Sequence, residues 1–304
     1  MSDWGYVRLM ALPNAKSKII EHYDVVSPYY HKLWGEHLHH GYWIRGDESK
    51  EQAQQQLIEH LARLAKIPQG AAILDVGCGF GASSVYLCKQ FGATSTGITI
   101  SPVQVEMANA AAARERADAR FCLMDAEAMS FEKPFDVLWS VESISHYHDR
   151  EKFFGSAAKL LKPGGIFALT DWFKKPELSH AEVRKYINPI EQGMFVRLEE
   201  IGDYEEFLRS NGMEILRREE LTKHCARTWD LCLEIIGDAA FWALAAKQGR
   251  NFVRYLNSFR AMRAGFSSGS FVYGLLVARK LDPATQVEPA SLPFLSGHAG
   301  CPAD

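Results

Sequence analysis

A short apolar run that breaks into glycine restricts this chain to few folds. Residues 71–76 (AAILDV) read as a buried parallel strand with an acid, Asp75, near its end. Gly77, Gly79 and Gly81 follow at once. Glycine takes up left-handed backbone freely and lets a ligand approach bare amides, so the strand turns tightly here. A helix is expected over 82–91, and its N-terminal amides then face the same turn. This is the usual ligand crevice of an open α/β sheet. The spacing is G-x-G-x-G, not the G-x-G-x-x-G of dinucleotide enzymes. A carboxylate at Asp75 opposes a pyrophosphate and suits a ligand with a cationic end.

The rest of the chain repeats strand and helix. Residues 52–66 carry Leu57, Ile58, Leu61, Leu64 and Ala65 at helical spacing and stop at Pro68-Gln69-Gly70. Further strands are expected over 94–100, 120–123, 135–140 and 166–171. Ser101-Pro102 opens a helix as N-cap and first-turn proline. A helix over 150–161 is expected to stop at the turn Lys162-Pro163-Gly164-Gly165. After that the rhythm changes. Residues 174–200 read as an inserted helical segment, 204–210 as a helix, 214–219 as a strand, 227–264 as long and helical, and 271–279 as a final strand. Alternation of this kind predicts an α/β fold, a doubly wound, seven-stranded, mostly parallel sheet covered on both faces. The expected core is 51–280. A helical lid is expected from 1–50, about 174–200 and about 223–266, with a loose tail over 281–304.

Composition excludes several classes. The formal net charge is −3 and no Lys/Arg run could track a phosphate backbone, so nucleic acid is not expected as a partner. The 6 cysteines are scattered without a CxxC pair, which points to free thiols in a reducing compartment and not to zinc. The N-terminus has an early acid and no long apolar run. The apolar stretch 235–246 is broken by Gly237 and Asp238. Neither a signal peptide nor stable membrane insertion is expected, and the inferred location is cytoplasmic.

Residues 74–84 (LDVGCGFGASS) resemble the first motif of class I S-adenosyl-L-methionine-dependent methyltransferases, which have a Rossmann-like fold. Within that superfamily the chain resembles the branch of tocopherol C-methyltransferases, sterol methyltransferases and cyclopropane synthases over about 23–280. His39-His40-Gly41-Tyr42-Trp43, the segment from Gly97 to Gln104, Trp139-Ser140-Val141-Glu142-Ser143 through His146, and Lys162-Pro163-Gly164-Gly165 carry the likeness. The resemblance implies S-adenosyl-L-methionine as cofactor, S-adenosyl-L-homocysteine as product and no metal. It assigns cofactor contacts to Tyr42, Asp75, Gly77, Cys78, Gly79, Thr99, Ile100, Gln104, Asp125, Ala126 and Val141. Most class I enzymes place an acid at the end of strand two to hold the ribose. This chain has Thr99, so Thr99 and Gln104, with Ser101 nearby, take that role; Ser101 can equally be a pure helix cap. Asp125 is implied to face the adenine amino group.

Methyl transfer from a sulfonium is an in-line displacement that needs alignment and exclusion of water, and a base only if the nucleophile arrives protonated. Glu142 and His146, just past strand four, are the catalytic candidates. His146 can take a proton, or simply bond to backbone. Tyr30, Trp34 and Trp172 are candidate substrate contacts, with Asp171 expected to face the crevice too. Tyr23 and the aromatic residues of 229–266 can line a lid pocket or form a local core. Cyclopropane synthases carry a carboxylate immediately before the histidine, where this chain has Ser145, which puts cyclopropanation in doubt. The expected activity is methylation of carbon or nitrogen in an apolar, aromatic or isoprenoid small molecule by a monomer or homodimer. Methylation of a small amine or amino acid, or cofactor binding without catalysis, are the alternatives.

Overall fold

The computed structural model describes residues 15–237, 242 and 250–282. Seven strands form one sheet in the order β3-β2-β1-β4-β5-β7-β6. They are β1 (Ala72–Val76), β2 (Thr94–Thr99), β3 (Ala119–Leu123), β4 (Phe135–Val141), β5 (Leu161–Lys174), β6 (Met213–Glu220) and β7 (Phe271–Lys280). The first five run parallel. β7 lies antiparallel between β5 and β6, so the sheet is mostly parallel, as the pattern predicts. The order of crossovers reverses between β1 and β4. The carboxyl ends of β1, β2 and β4 therefore open onto one crevice.

Period-two alternation sorts the core into two layers. Val137 and Trp139 of β4, with Ala168 and Trp172 of β5, pack on the lid side. Leu138, Phe167, Leu169 and Phe173 pack on the other, against Phe153 and Phe154. On the lid side lies α2 (Lys50–Ala65), opened by a capping box between Ser49 and Gln52 and burying Leu57, Ile58 and Leu61. α3 (Ala82–Phe91) and α4 (Pro102–Glu115) follow β1 and β2. α5 (Arg150–Leu160) and α7 (Ile201–Ser210) flank the far face.

The segment 162–165 differs from the expected stop between helix and strand. Leu161 already pairs with Phe135, and pairing resumes at Val137 and Ile166. Gly164 is left-handed, with φ +74°. The Pro-Gly-Gly segment is thus an excursion within β5, because the strand has joined the sheet before it.

The inserted segment contains a helical turn His180–Glu182, a π turn Val183–Ile187 and α6 (Asn188–Met194). Between β6 and β7 run α8 (Thr222–Cys225), α9 (Arg227–Ile235) and α10 (Arg250–Ser268). One long helix was expected over 227–264; α9 ends before Gly237, and 238–241 and 243–249 lie outside the described residues, as do 1–14 and the tail from 283. α10 packs closely on α6: a methyl group on Gly193 would lie 2.5 Å from the Ser258 side chain. The first helix, α1 (Ala15–Trp34), crosses above the carboxyl ends of the strands. Among the described residues no helix is long and apolar enough to cross a membrane.

Candidate active site

The glycine turn is built by steric demand. Gly77, Gly79 and Gly81 are all left-handed, at φ +77°, +52° and +79°. A methyl group on Gly77 would lie 1.9 Å from Ser143 Oγ, and one on Gly81 would lie 2.5 Å from the Phe121 ring. At Gly79 the nearest atom is the Leu38 side chain, 3.2 Å away, so the packing there is looser. Asp75 lies 2% exposed at the floor of the cavity. Its Oδ2 accepts from Ser84 Oγ at 2.7 Å, and among the described residues it makes no ion pair. Burial pushes the carboxyl up to about 7, against the opposing bond from Ser84.

At the end of β2 the side chains are tied to one another. Thr99 Oγ1 donates to Gln104 Oε1 at 2.7 Å. Ser101 Oγ accepts from Gln104 N at 3.2 Å as a helix cap and donates to Asp24 Oδ1 at 2.5 Å. Ser101 therefore caps the helix and also ties α1 to it. Thr99, Ile100 and Gln104 line the cavity, as do Cys78, Asp125, Ala126 and Val141. Asp125 holds the following turn, accepting from Glu127 N at 2.9 Å. Its other oxygen meets Lys16 Nζ at 2.5 Å, and Glu127 meets the same ammonium at 2.6 Å. Burial opposes the Lys16 charge, but the bonds from Asp125 and Glu127 outweigh it and raise the amine above its ordinary value.

Glu142 and His146 both line the cavity, in different states. Glu142 has φ +53°, a left-handed backbone rare for a non-glycine residue. Its carboxylate accepts from His40 N at 2.7 Å, His40 Nδ1 at 3.0 Å and Tyr273 OH at 2.7 Å. Burial raises its pKa, yet the charge and bonds of His40 outweigh that and hold it below the usual carboxylate range. Glu142 is thus an anion already engaged, pinning the segment around His40 to the sheet. His146 Nδ1 lies 3.2 Å from Phe195 O, so that nitrogen carries the proton. Nε2 is left as an acceptor, 2.9 Å from Tyr23 OH. Burial lowers the imidazole to about 4, keeping it neutral at physiological pH.

The loop that carries His146 is buttressed from below. Asp171 accepts from Ser145 N and Trp172 N, each at 2.8 Å, and from Tyr204 OH at 3.1 Å. Burial pushes Asp171 up to about 6. Arg150, 1% exposed, donates to Ser145 O at 2.7 Å. Asp171 was expected to face the crevice, but it does not line the cavity. Strand alternation sends Trp172 to the lid side and Asp171 to the opposite layer.

Trp34 and Trp172 line the cavity. Tyr42 does not: its ring stacks on His60 at 4.6 Å and tilts over His224 at 4.6 Å. Its backbone N donates to Ala53 O at 2.7 Å, which ties this part of the chain to α2 instead of the crevice. The side chain of Tyr30 lies outside the described residues. Residues that the motif reading passed over are Lys16, Asp24 and Tyr273, and His40 stood in a motif without a role of its own. The sequence held one usable clue. Lys16, Tyr23, Ser27 and Trp34 are seven, four and seven residues apart, which is one face of a helix. That face of α1 meets the site.

Asp75 is a buried acid beside bare backbone and neutral hydroxyl and amide groups. This fits S-adenosylmethionine and not a diphosphate. The fold and the site together define a class I S-adenosylmethionine-dependent methyltransferase. Comparison with known proteins agrees: the family model for mycolic acid cyclopropane synthetase matches residues 11–271, and the chain belongs to that family. It is 33% identical over 264 residues to 27-O-demethylrifamycin SV methyltransferase of Amycolatopsis mediterranei (strain S699), covering 86% of this chain and 96% of that protein. It is 28% identical over 289 residues to the chloroplastic tocopherol O-methyltransferase of Arabidopsis thaliana, covering 86% and 81%. A cyclopropane synthase structure from Mycobacterium tuberculosis shares the fold at TM-score 0.77 and 22% identity, covering 86% and 98%.

Proposed function

We propose that this methyltransferase acts on carbon or nitrogen of an apolar, aromatic or isoprenoid small molecule, with His146 as the group that receives the acceptor's proton. One observation carries this: a neutral imidazole with a fixed tautomer, its acceptor nitrogen engaged by a phenol, in a cavity walled by aromatic rings. A ring carbon activated by a phenolic hydroxyl is the favoured case, with Tyr23 OH standing where that hydroxyl docks. When bound, S-adenosylmethionine supplies an electrophilic methyl group on a positively charged sulfur. Asp75 faces its cationic end, Thr99 and Gln104 its ribose, and Asp125 its adenine once Lys16 moves aside. α1, α6, α9 and α10 act as the lid that excludes water. Glu142 holds His40 in place and does not touch the proton.

A second reading is transfer to oxygen. Two relatives are named for it, and the same neutral His146 would accept the hydroxyl proton directly. The partner is a small molecule, with no metal and no nucleic acid. A cytoplasmic location is supported by five free cysteines among the described residues. The test is a screen of quinols, indoles, prenyl diphosphates and simple amines with cofactor labelled at the methyl carbon. The carbon shift of the product methyl distinguishes carbon, nitrogen and oxygen. Turnover of small amines alone would overturn the apolar reading.

A further inference from the structure

The inserted segment between β5 and α7 does more than cover the cavity. α6 ends at Phe195, which is left-handed at φ +55°. Helix ends that turn this way usually carry glycine or asparagine, because a larger side chain is strained there. Such strain persists only where the surrounding contacts hold it. Here the chain leaves the helix as a strap, 195–199, beside the loop that carries His146. Arg197 N donates to Ser145 O at 3.0 Å, and Lys174 N donates to Glu199 O at 3.0 Å. Leu198 N donates to Glu191 Oε1 at 2.8 Å, and the side chains of Val196 and Leu198 are buried. Arg150 spans strap and loop. Its Nη2 donates to Ser145 O at 2.7 Å and to Arg197 O, and its Nη1 donates to Glu199 Oε1 at 3.4 Å. A planar guanidinium reaches these acceptors together, as a compact ammonium does not.

The consequence falls on His146. Phe195 O can only accept, so the bond at 3.2 Å puts the proton on Nδ1. A neutral histidine in water prefers the opposite tautomer, with the proton on Nε2, so the strap works against that preference. With Nδ1 protonated, Nε2 offers the cavity a lone pair. In the reversed tautomer it offers a hydrogen and can take no proton. Tyr23 OH, 2.9 Å from Nε2, does not decide between them, because a hydroxyl donates or accepts equally well. We infer that the 195–199 strap, clamped to the His146 loop by Arg150, fixes the proton-accepting tautomer of His146, and that Arg150 is a positioning residue for methyl transfer. Arg150 does not line the cavity, so its effect runs through the backbone of Ser145 and Arg197. The inference rests on the reading of His146 as the proton acceptor. It makes the inserted segment an element that orients the base as well as covering it.

The test reads the tautomer directly, on the full chain with isotope-labelled histidine nitrogens at neutral pH. Long-range proton–nitrogen correlations distinguish a protonated ring nitrogen from a bare one, and the signals lost in His146→Asn assign the pair. In the wild type Nδ1 is expected at the protonated position and Nε2 at the bare one. Arg150→Lys keeps the positive charge near Asp171 but loses the fork, and should draw the two resonances together as the tautomers mix. Glu199→Gln loosens the same clamp from its partly exposed end and should do so by less. Tyr23→Phe removes the hydroxyl from Nε2 and leaves the strap, so both resonances should stay where they are. A proton on Nε2 in the wild type, resonances unmoved in whichever clamp variant folds, or a reversal in Tyr23→Phe would each overturn the inference. Turnover separates it from the functional reading. On acceptors found in the screen of quinols, indoles, prenyl diphosphates and amines, Arg150→Lys should lower kcat a few-fold, since only molecules with Nδ1 protonated react. Wild-type turnover by His146→Asn would sink the assignment of the base, while the ring-nitrogen signals judge the strap on their own.

Discussion

The cofactor end of the cavity and its lid end are made in different ways. The cofactor end is built largely from short stretches: 75–84, 99–104 and 124–127 each carry a turn, a cap and the groups that line it. The lid end is assembled from segments far apart in the chain. His40 meets Glu142 across 102 positions, Tyr23 meets His146 across 123, and Tyr273 meets Glu142 across 131. The first end is specified by local sterics and hydrogen bonding. The second exists only when the lid packs. Damage to the first should remove cofactor binding whatever the lid does, and damage to the second should spare it.

The largest effect that sharpens this contrast is expected at Gly77. A side chain there meets Ser143 and demands left-handed backbone, so Gly77→Ala should abolish the thermal shift produced by S-adenosylmethionine and cost about 2–4 kcal/mol in chemical denaturation. Gly79→Ala, with room beside Leu38, should cost only about 1 kcal/mol. Equal losses at the two positions would mean that packing against Ser143 is not the constraint.

Next in size is the proton acceptor. His146→Asn should lower kcat by roughly 10²–10⁴-fold with little change in cofactor affinity, read by steady-state kinetics and calorimetry. Because burial lowers His146 to about 4, the wild-type rate should not fall through loss of this base until the pH drops below about 5. A cofactor affinity that collapses in His146→Asn would break the separation of the two ends.

Asp75 gives a pH signature of opposite kind. Its folded-state pKa is raised from 3.8 to about 7. The proton is therefore held more tightly in the folded chain, so this group contributes stability below its unfolded pKa and loses it as pH rises toward 7. Cofactor binding needs the carboxylate, so affinity should rise on the order of fivefold to tenfold from pH 6 to 7.5. Asp171, raised to about 6, overlaps this window for stability. Asp75→Asn isolates the effect, and the slope of affinity against pH should flatten in that variant. A slope that persists places the titrating group elsewhere.

Smaller effects test the lid anchors. Glu142→Gln keeps the shape but weakens the bonds from His40 and Tyr273, and should cost about 2 kcal/mol in denaturant melts while the cofactor shift remains. Lys16 is 41% exposed in its side chain, and solvent screening limits its pairs, so Lys16→Ala should change stability by less than about 1 kcal/mol. The same change should tighten cofactor binding a few-fold, since Lys16 occupies the Asp125 oxygen assigned to adenine. Weaker binding in Lys16→Ala would instead make the lysine part of the cofactor site.

Much of this was legible in the sequence. The alternation of strands and helices, the left-handed glycines after Asp75 and the cap at Ser101 depend on groups a few residues apart, and local patterns encode them. So does the placement of Thr99, Gln104 and Asp125 at strand ends. Tyr42 and Asp171 were misplaced because the facing of a side chain was inferred from proximity in a motif. The observed positions follow from stacking on His60 and His224 and from strand alternation.

Residue order by itself determined where the crevice opens and what charge sits at its floor, since steric and hydrogen-bonding limits between near neighbours decide those. Only the tertiary structure decided that Glu142 spends its charge on His40 and that His146 stays neutral against Tyr23. Those facts depend on which groups are desolvated together, and desolvation is a property of packed layers and not of any single stretch of chain.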